Sequence, residues 1–176
     1  MQSISYEPIM KLPFHKKVFL RPIAKRFIGG ENLEEAIQAL HHLQQQGFKT
    51  SLDYLGESVK NEAEACEATE EYIKTLQSLK NEGLDKNISI KLTQLGLDID
   101  ETFARENLVK VVQAAGEMGG FVRVDMEDSA HTEQTLRMVT QVHKQYAHVG
   151  VVLQAMLRRT PEDVVEMLKE GIGVRL

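Results

Sequence analysis

Residues 87–96 read NISIKLTQLG. As a strand this stretch alternates. Ile88, Ile90 and Leu92 point one way, and Ser89, Lys91 and Thr93 point the other. A sheet covered by helices on both faces is apolar on both faces, so a lysine at the middle of such a strand needs another setting. Four further segments repeat the pattern. Their apolar sides are Leu52 and Tyr54; Val122, Val124 and Met126; Val151 and Leu153; Ile172, Val174 and Leu176. Their mixed sides are Ser51 and Asp53; Arg123 and Asp125; Val152 and Gln154; Gly173 and Arg175.

Helical segments fall between these strands. ENLEEAIQALHHLQQQG opens with Asn32 three residues before Glu35, a capping-box spacing, and closes at Gly47. FKTSLDYLGE reads as a strand, and SVKNEAEACEATEEYIKTLQSLKNEG as a long helix. Its expected apolar stripe is Val59, Ala63, Cys66, Ile73, Leu76 and Leu79, ended by Gly83. After NISIKLTQLG, Asp100 caps ETFARENLVKVVQAAGEMG, and GFVRVDME is the next strand. DSAHTEQTLRMVTQVHKQY is a helix with Asp128 or Ser129 as its cap. HVGVVLQAML is a strand, and TPEDVVEMLKEG is a helix with Thr160 as N-cap and Pro161 at its first position. IGVRL opens a last strand.

Strict alternation of strand and helix means a parallel sheet with helical crossovers. An open doubly wound sheet and a (β/α)8 barrel compete. A barrel is apolar outside, against its helices, and mixed inside. The polar residue also comes late in each strand: Asp53, Lys91, Asp125, Gln154 and Arg175. On a barrel these side chains converge on the C-terminal mouth, where such enzymes keep their sites. The expected fold class is therefore α/β, a (β/α)8 TIM-like barrel with about five of its strands present.

Composition sets outer bounds. The 176 residues are 42% hydrophobic and 27% charged, enough for one domain with a core. The net charge of −5 does not invite nucleic acid. Cys66 is the one cysteine, so no internal disulfide forms, and a reducing, cytoplasmic setting is expected. It reads as a buried small hydrophobe on its helix. The apolar runs are far below the roughly 20 residues of a membrane span, and no signal peptide is read at the start. The histidines are scattered along the chain, and no metal is expected. Residues 1–26 are read as a basic extension. They hold Lys11, Lys16, Lys17, Arg21, Lys25 and Arg26 against the single acid Glu7. With Phe14, Phe19 and Phe27, this arm reads first as a poorly ordered N-terminal extension and second as a contact for an anionic membrane surface.

At the expected mouth, Lys91 has three readings. It is an ion-pair partner of Asp53 or Asp125, a Schiff-base nucleophile as in lysine-dependent aldolases, or a fixed cation for a substrate carboxylate or phosphate. Asp53 and Asp125 are placed for acid–base work or for charge neutralisation. Gln154, with two donors and an acceptor, suits a heterocycle edge or is a satisfied polar residue of the barrel. Arg175 at a strand end needs a partner or a ligand.

Taken in order, TSLDYLGESV, NISIKLTQLGL, VRVDMEDS, VVLQAMLRR and the final VRL resemble proline dehydrogenase, in its small monofunctional bacterial form. The resemblance runs from Phe27 to Leu176. It implies a distorted (β/α)8 barrel that binds FAD without a covalent bond. It also implies oxidation of L-proline to Δ1-pyrroline-5-carboxylate, with electrons passed to quinone at the membrane. By the resemblance, Lys91 helps hold the proline carboxylate and Asp125 stands beside the substrate. Gln154 meets the flavin's polar edge and Arg175 lies next to flavin N5. Leu176 packs near the substrate, and Glu57 forms a gate with an arginine from a late helix. The family continues past this point into further strands and a helix with an arginine pair that clamps the carboxylate. The expectation is therefore a chain that does not turn over proline by itself, since a barrel takes about 250 residues. Such a chain is expected to self-associate or to depend on further residues.

Overall fold

The computed structural model describes residues 28–56 and 58–176. The basic segment 1–26 and Glu57 lie outside the described residues. The chain divides into two units at Thr50 and Ser51. The first contains α1 (Leu33–Gln45). Asn32 caps it as expected, its Oδ1 accepting the Glu35 N–H at 2.9 Å. The Glu35 carboxylate reaches back to the Glu31 N–H at 3.1 Å, one residue earlier than in the standard capping box.

The second unit runs β1 (Leu52–Asp53), α2 (Glu62–Asn81), β2 (Asn87–Ile90), α3 (Glu101–Glu117), β3 (Phe121–Val124), α4 (Thr132–His143), β4 (Val149–Val152), α5 (Thr160–Lys169) and β5 (Gly173–Arg175). The five strands are parallel and lie in chain order. Each crossover therefore steps to the next strand in one direction. Right-handed crossovers then place every helix on the same face. A doubly wound sheet would reverse direction and cover both faces. The winding is that of a (β/α)8 barrel, the fold class expected.

α2, α3, α4 and α5 pack on β2, β3, β4 and β5 respectively. The side chains between them are the apolar set of the strands. Ile88, Ile90, Val122, Val124, Val149, Val151 and Leu153 are all buried. They meet Leu76 and Leu79 of α2, Leu108, Val111 and Val112 of α3, and Met138 and Val139 of α4, also buried. At about 25 cal/mol per Å² this layer is the main favourable contribution to folding.

Several local expectations need correction. The α2 stripe is Ala65, Ala68, Tyr72, Leu76 and Leu79, so Ala63 is exposed and Cys66 is only partly buried. The helix starts at Glu62 rather than Ser58 because Asn61 caps it, its Oδ1 accepting the Glu64 N–H at 3.0 Å. The strands are also shorter than read: the first is only Leu52–Asp53, and the second stops at Ile90. Beyond Lys91 the chain turns, with the Leu95 and Leu97 N–H groups donating to the Leu92 carbonyl, both at 3.0 Å. Leu92, Leu95 and Leu97 reach the core through that turn, not through strand alternation.

Two caps differ as well. Asp128 does not cap α4 directly, since the helix begins at Thr132. Its Oδ1 accepts the Ala130 and His131 N–H groups, a turn made just before the helix. Thr160 is the first residue of α5 rather than its cap, and its hydroxyl donates to the Gln154 carbonyl at 2.6 Å. Asp100, by contrast, caps α3 through the Phe103 N–H at 2.8 Å.

Candidate functional site

Strand register sets the site. Asp53 pairs with Ser89, Ser89 with Arg123, Arg123 with Gly150, and Gly150 with Gly173. One step towards the strand C-termini, Val152 pairs with Arg175. Lys91 and Asp125 follow the paired residues Ile90 and Val124, and the Asp125 N–H donates to the Ile90 carbonyl at 2.8 Å. All these side chains lie on the face opposite the helices, because facing residues alternate along a strand. Lys91, Asp125 and Arg175 stand at its C-terminal end.

The charges meet there. Lys91 Nζ lies 3.7 Å from Asp53 Oδ2. Arg175 Nη2 donates to Asp125 Oδ1 at 2.8 Å and to Ser89 Oγ at 3.1 Å. Burial, followed by the charge of Asp53, holds the Asp125 carboxyl above the usual carboxylate range, although Arg175, Lys91 and Ser89 pull the other way. Arg123 is pushed below its ordinary value by burial and by Arg175. Its guanidinium lies over the Phe121 ring at 5.1 Å. Its Nη1 is buried without a hydrogen-bond partner among the described residues.

The remaining expected site residues are less closely joined. Gln154 follows β4 with the alternation of Val152 and is partly buried. Leu176 is 70% exposed. Glu57 lies outside the described residues.

The sequence model of the family described as Proline dehydrogenase matches residues 36–171. The chain belongs to the proline dehydrogenase family. It is 36% identical over 163 residues to Proline dehydrogenase 1 of Bacillus subtilis subsp. natto, a match that covers 93% of this chain and 54% of that protein. It is 37% identical over 147 residues to Proline dehydrogenase 2 of Bacillus subtilis strain 168, covering 84% of this chain and 48% of that one. Among solved structures it resembles proline utilization A from Bdellovibrio bacteriovorus inactivated by N-propargylglycine. The TM-score is 0.79 at 26% identity, over 90% of this chain and 20% of that one. The chain thus spans about half the length of the curated relatives it matches.

Within this proline dehydrogenase fold, several residues carry weight that alternation and charge did not reveal. Phe121 lies across the inner face: a Cβ built on Gly150 would fall 3.0 Å from its ring, and one on Gly173 3.6 Å. Tyr72 donates its hydroxyl to Gln94 Oε1 at 2.6 Å. Burial, then Asp53, pushes that phenol well up. A buried tyrosine on the α2 stripe was the available signal, since its hydroxyl needs a partner.

His131 bridges the loops after β2 and β3, its Nε2 2.7 Å from Asp98 Oδ1 and its Nδ1 2.7 Å from Asp128 Oδ1. Both nitrogens can donate only in the imidazolium form. Desolvation lowers its pKa, but the two aspartate hydrogen bonds together outweigh that and raise it. A histidine raised in this way contributes stability that is fully present below its unfolded pKa of about 6.5 and lost as pH rises through the folded value. The expected result is an NMR midpoint for the His131 ring above that of a free histidine, with Asp98→Asn lowering it. A midpoint at the free value would remove the bridge.

Proposed function

We propose that this chain supplies the substrate- and flavin-facing strands of a FAD-dependent proline dehydrogenase. The reaction is oxidation of L-proline to Δ1-pyrroline-5-carboxylate, with electrons passed to a quinone acceptor at a membrane surface. The observation that carries this reading is the meeting of Asp53, Lys91, Asp125 and Arg175 on one face, at one end of the sheet, in a chain of this family.

The residues present fit a flavin. The Gln154 side-chain amide makes no hydrogen bond among the described residues, and Arg175 stays 40% exposed after meeting Asp125 and Ser89. Both keep donors in hand at the mouth. FAD, when bound, supplies the acceptor for a hydride. Gln154 presents its amide to the polar edge of the ring. Arg175, its direction fixed by Asp125 and Ser89, would supply a positive charge next to flavin N5. Lys91 holds the carboxylate of proline, Asp125 stands beside the substrate, and Leu176 packs against it. Glu57 serves as one half of a gate. None of these residues has to take a proton if the amine of proline enters neutral. The ion pair with Asp53 suits Lys91 to the role of fixed cation rather than Schiff-base nucleophile.

Residues 27–176 are read as a partial proline dehydrogenase barrel domain and residues 1–26 as a basic extension whose charge suits the cytoplasmic face of a membrane. No helix among the described residues is long and apolar enough to cross one. Self-association through the outer strands β1 and β5 belongs to the same reading, and light scattering at the monomer mass would count against it.

The reaction is tested by fusing this chain to the C-terminal half of a Bacillus subtilis relative. The flavin absorbance of the purified fusion should bleach on anaerobic addition of L-proline. Lys91→Ala should raise the proline concentration needed by about tenfold or more, the cost of a charge-assisted contact, while the flavin is retained. Arg175→Ala should lower the flavin's reduction potential by removing a positive neighbour. A fusion that holds flavin and is not bleached by proline refutes the reading.

A further inference from the structure

We propose that Thr93 and Glu127 form a latch that fixes the loops after β1, β2 and β3 to one another and so positions Lys91 and Asp125. Thr93 lies two residues beyond Lys91, and Glu127 lies two residues beyond Asp125. Both carboxylate oxygens of Glu127 are used by this one residue. Oε1 accepts the Thr93 N–H at 3.1 Å, and Oε2 accepts the Thr93 hydroxyl. The same hydroxyl accepts the Ser58 N–H at 3.3 Å. One side chain from each of two loops thus ties three loops in series.

The held backbone is unusual at its far end. Ser58 is the one non-glycine with positive φ, +48°, among the described residues. That conformation is costly for an L-residue and persists where surrounding contacts impose it. The next residue along the latch, Gln94, closes over the other side of the same loop: a Cβ on Gly56 would fall 2.5 Å from Gln94 Nε2. Gln94 is fixed in turn by the Tyr72 hydroxyl. Consecutive residues Thr93 and Gln94, both buried, therefore hold Ser58 and Gly56, the two neighbours of Glu57 in the sequence. The Asp98–His131–Asp128 bridge joins the second and third loops again further out.

A buried N–H and hydroxyl left without acceptors cost more than an exposed pair would, so removal of Glu127 is felt at Thr93 first. The loosened β3 loop then admits water to Asp125. Thr93 and Glu127 are positioning residues: they act through the loops that carry Lys91 and Asp125. The latch itself stands on these contacts alone. Its effect on proline rests on the function proposed above.

The experiment is amide hydrogen exchange followed by NMR on the 176-residue chain, with the Asp125 carboxyl titrated in parallel. Thr93→Val should lower protection of the Ser58 amide by about tenfold, and Glu127→Ala should do the same at the Thr93 amide. Thr93→Ser and Glu127→Gln, which keep a hydroxyl and an acceptor, should restore most of it. Amides of β2 and β3 should stay as protected as in the parent chain. In Glu127→Ala the Asp125 midpoint should fall towards the ordinary carboxylate range and recover in Glu127→Gln. Unchanged exchange at Ser58 and Thr93, an unmoved Asp125 midpoint, or equal loss of protection across the sheet would each overturn the latch. If the exchange pattern appears while the proline fusion fails to bleach, the latch holds and the proposed function falls.

Discussion

Gly150→Ala is expected to destabilise the fold by about 3 kcal/mol or more and to lower Tm by roughly 6–12 °C. Gly150 sits in the middle of the sheet, paired with Arg123 on one side and Gly173 on the other. A Cβ there would stand 2.4 Å from the Gly173 carbonyl oxygen and 3.0 Å from Phe121 Cζ. The first obstacle is backbone, so it yields only if β4 and β5 separate. The second is a ring that itself carries the Arg123 guanidinium. Relief by either route disturbs the inner face, and separation of β5 takes Arg175 away from Asp125. Gly173→Ala is the matched control. Its Cβ would meet only Phe121, at 3.6 Å, an ordinary van der Waals distance. Thermal denaturation should separate the two variants clearly. Equal Tm values would mean that the close approach of β4 and β5 places no demand on Gly150.

The parity of Ile88, Ile90, Val122, Val124 and Val151 was legible because burial against helices selects every second residue of a strand. The same alternation put Asp53, Lys91, Asp125 and Arg175 on the other face. Their pairing follows because right-handed crossovers lay the strands side by side in chain order. The latch was not legible. Thr93 and Glu127 are 34 residues apart and meet only because the chain turns at Leu92 instead of continuing as a strand. Periodicity carries no information about such a turn. The role of Phe121 was hidden for a similar reason, since its ring fills space left by two glycines on different strands. The misread stripe of α2 came from scoring Cys66 and Ile73 by hydropathy, where the packed side is built from Ala65, Ala68 and Tyr72. Small residues let α2 sit close to its neighbours, and a hydropathy pattern underweights them.

Asp125→Asn is expected to reduce kcat/KM for proline in the fusion about a hundredfold while leaving the chain at least as stable as its parent at pH 7. The two effects have one origin. The Asp125 carboxyl is held above the ordinary range by burial and by Asp53, against the pull of Arg175, Lys91 and Ser89. A carboxyl with a raised folded pKa binds its proton more tightly in the folded chain than in the unfolded one. Stability from this group is therefore fully present below the unfolded pKa of about 3.9 and is lost as pH rises through the folded value. At pH 7 the charge is a net cost that asparagine does not carry. The amide oxygen of asparagine can still accept from Arg175, so the guanidinium keeps a neighbour without the directing charge. Urea denaturation should find the two chains alike near pH ~3 and the variant equal or ahead at pH 7. A variant weaker at pH 7 by the amount expected of a broken ion pair would show that Asp125 is there for the fold. A stable variant with lost turnover places it in the chemistry, where a partly buried carboxylate beside Arg175 is retained at the expense of stability.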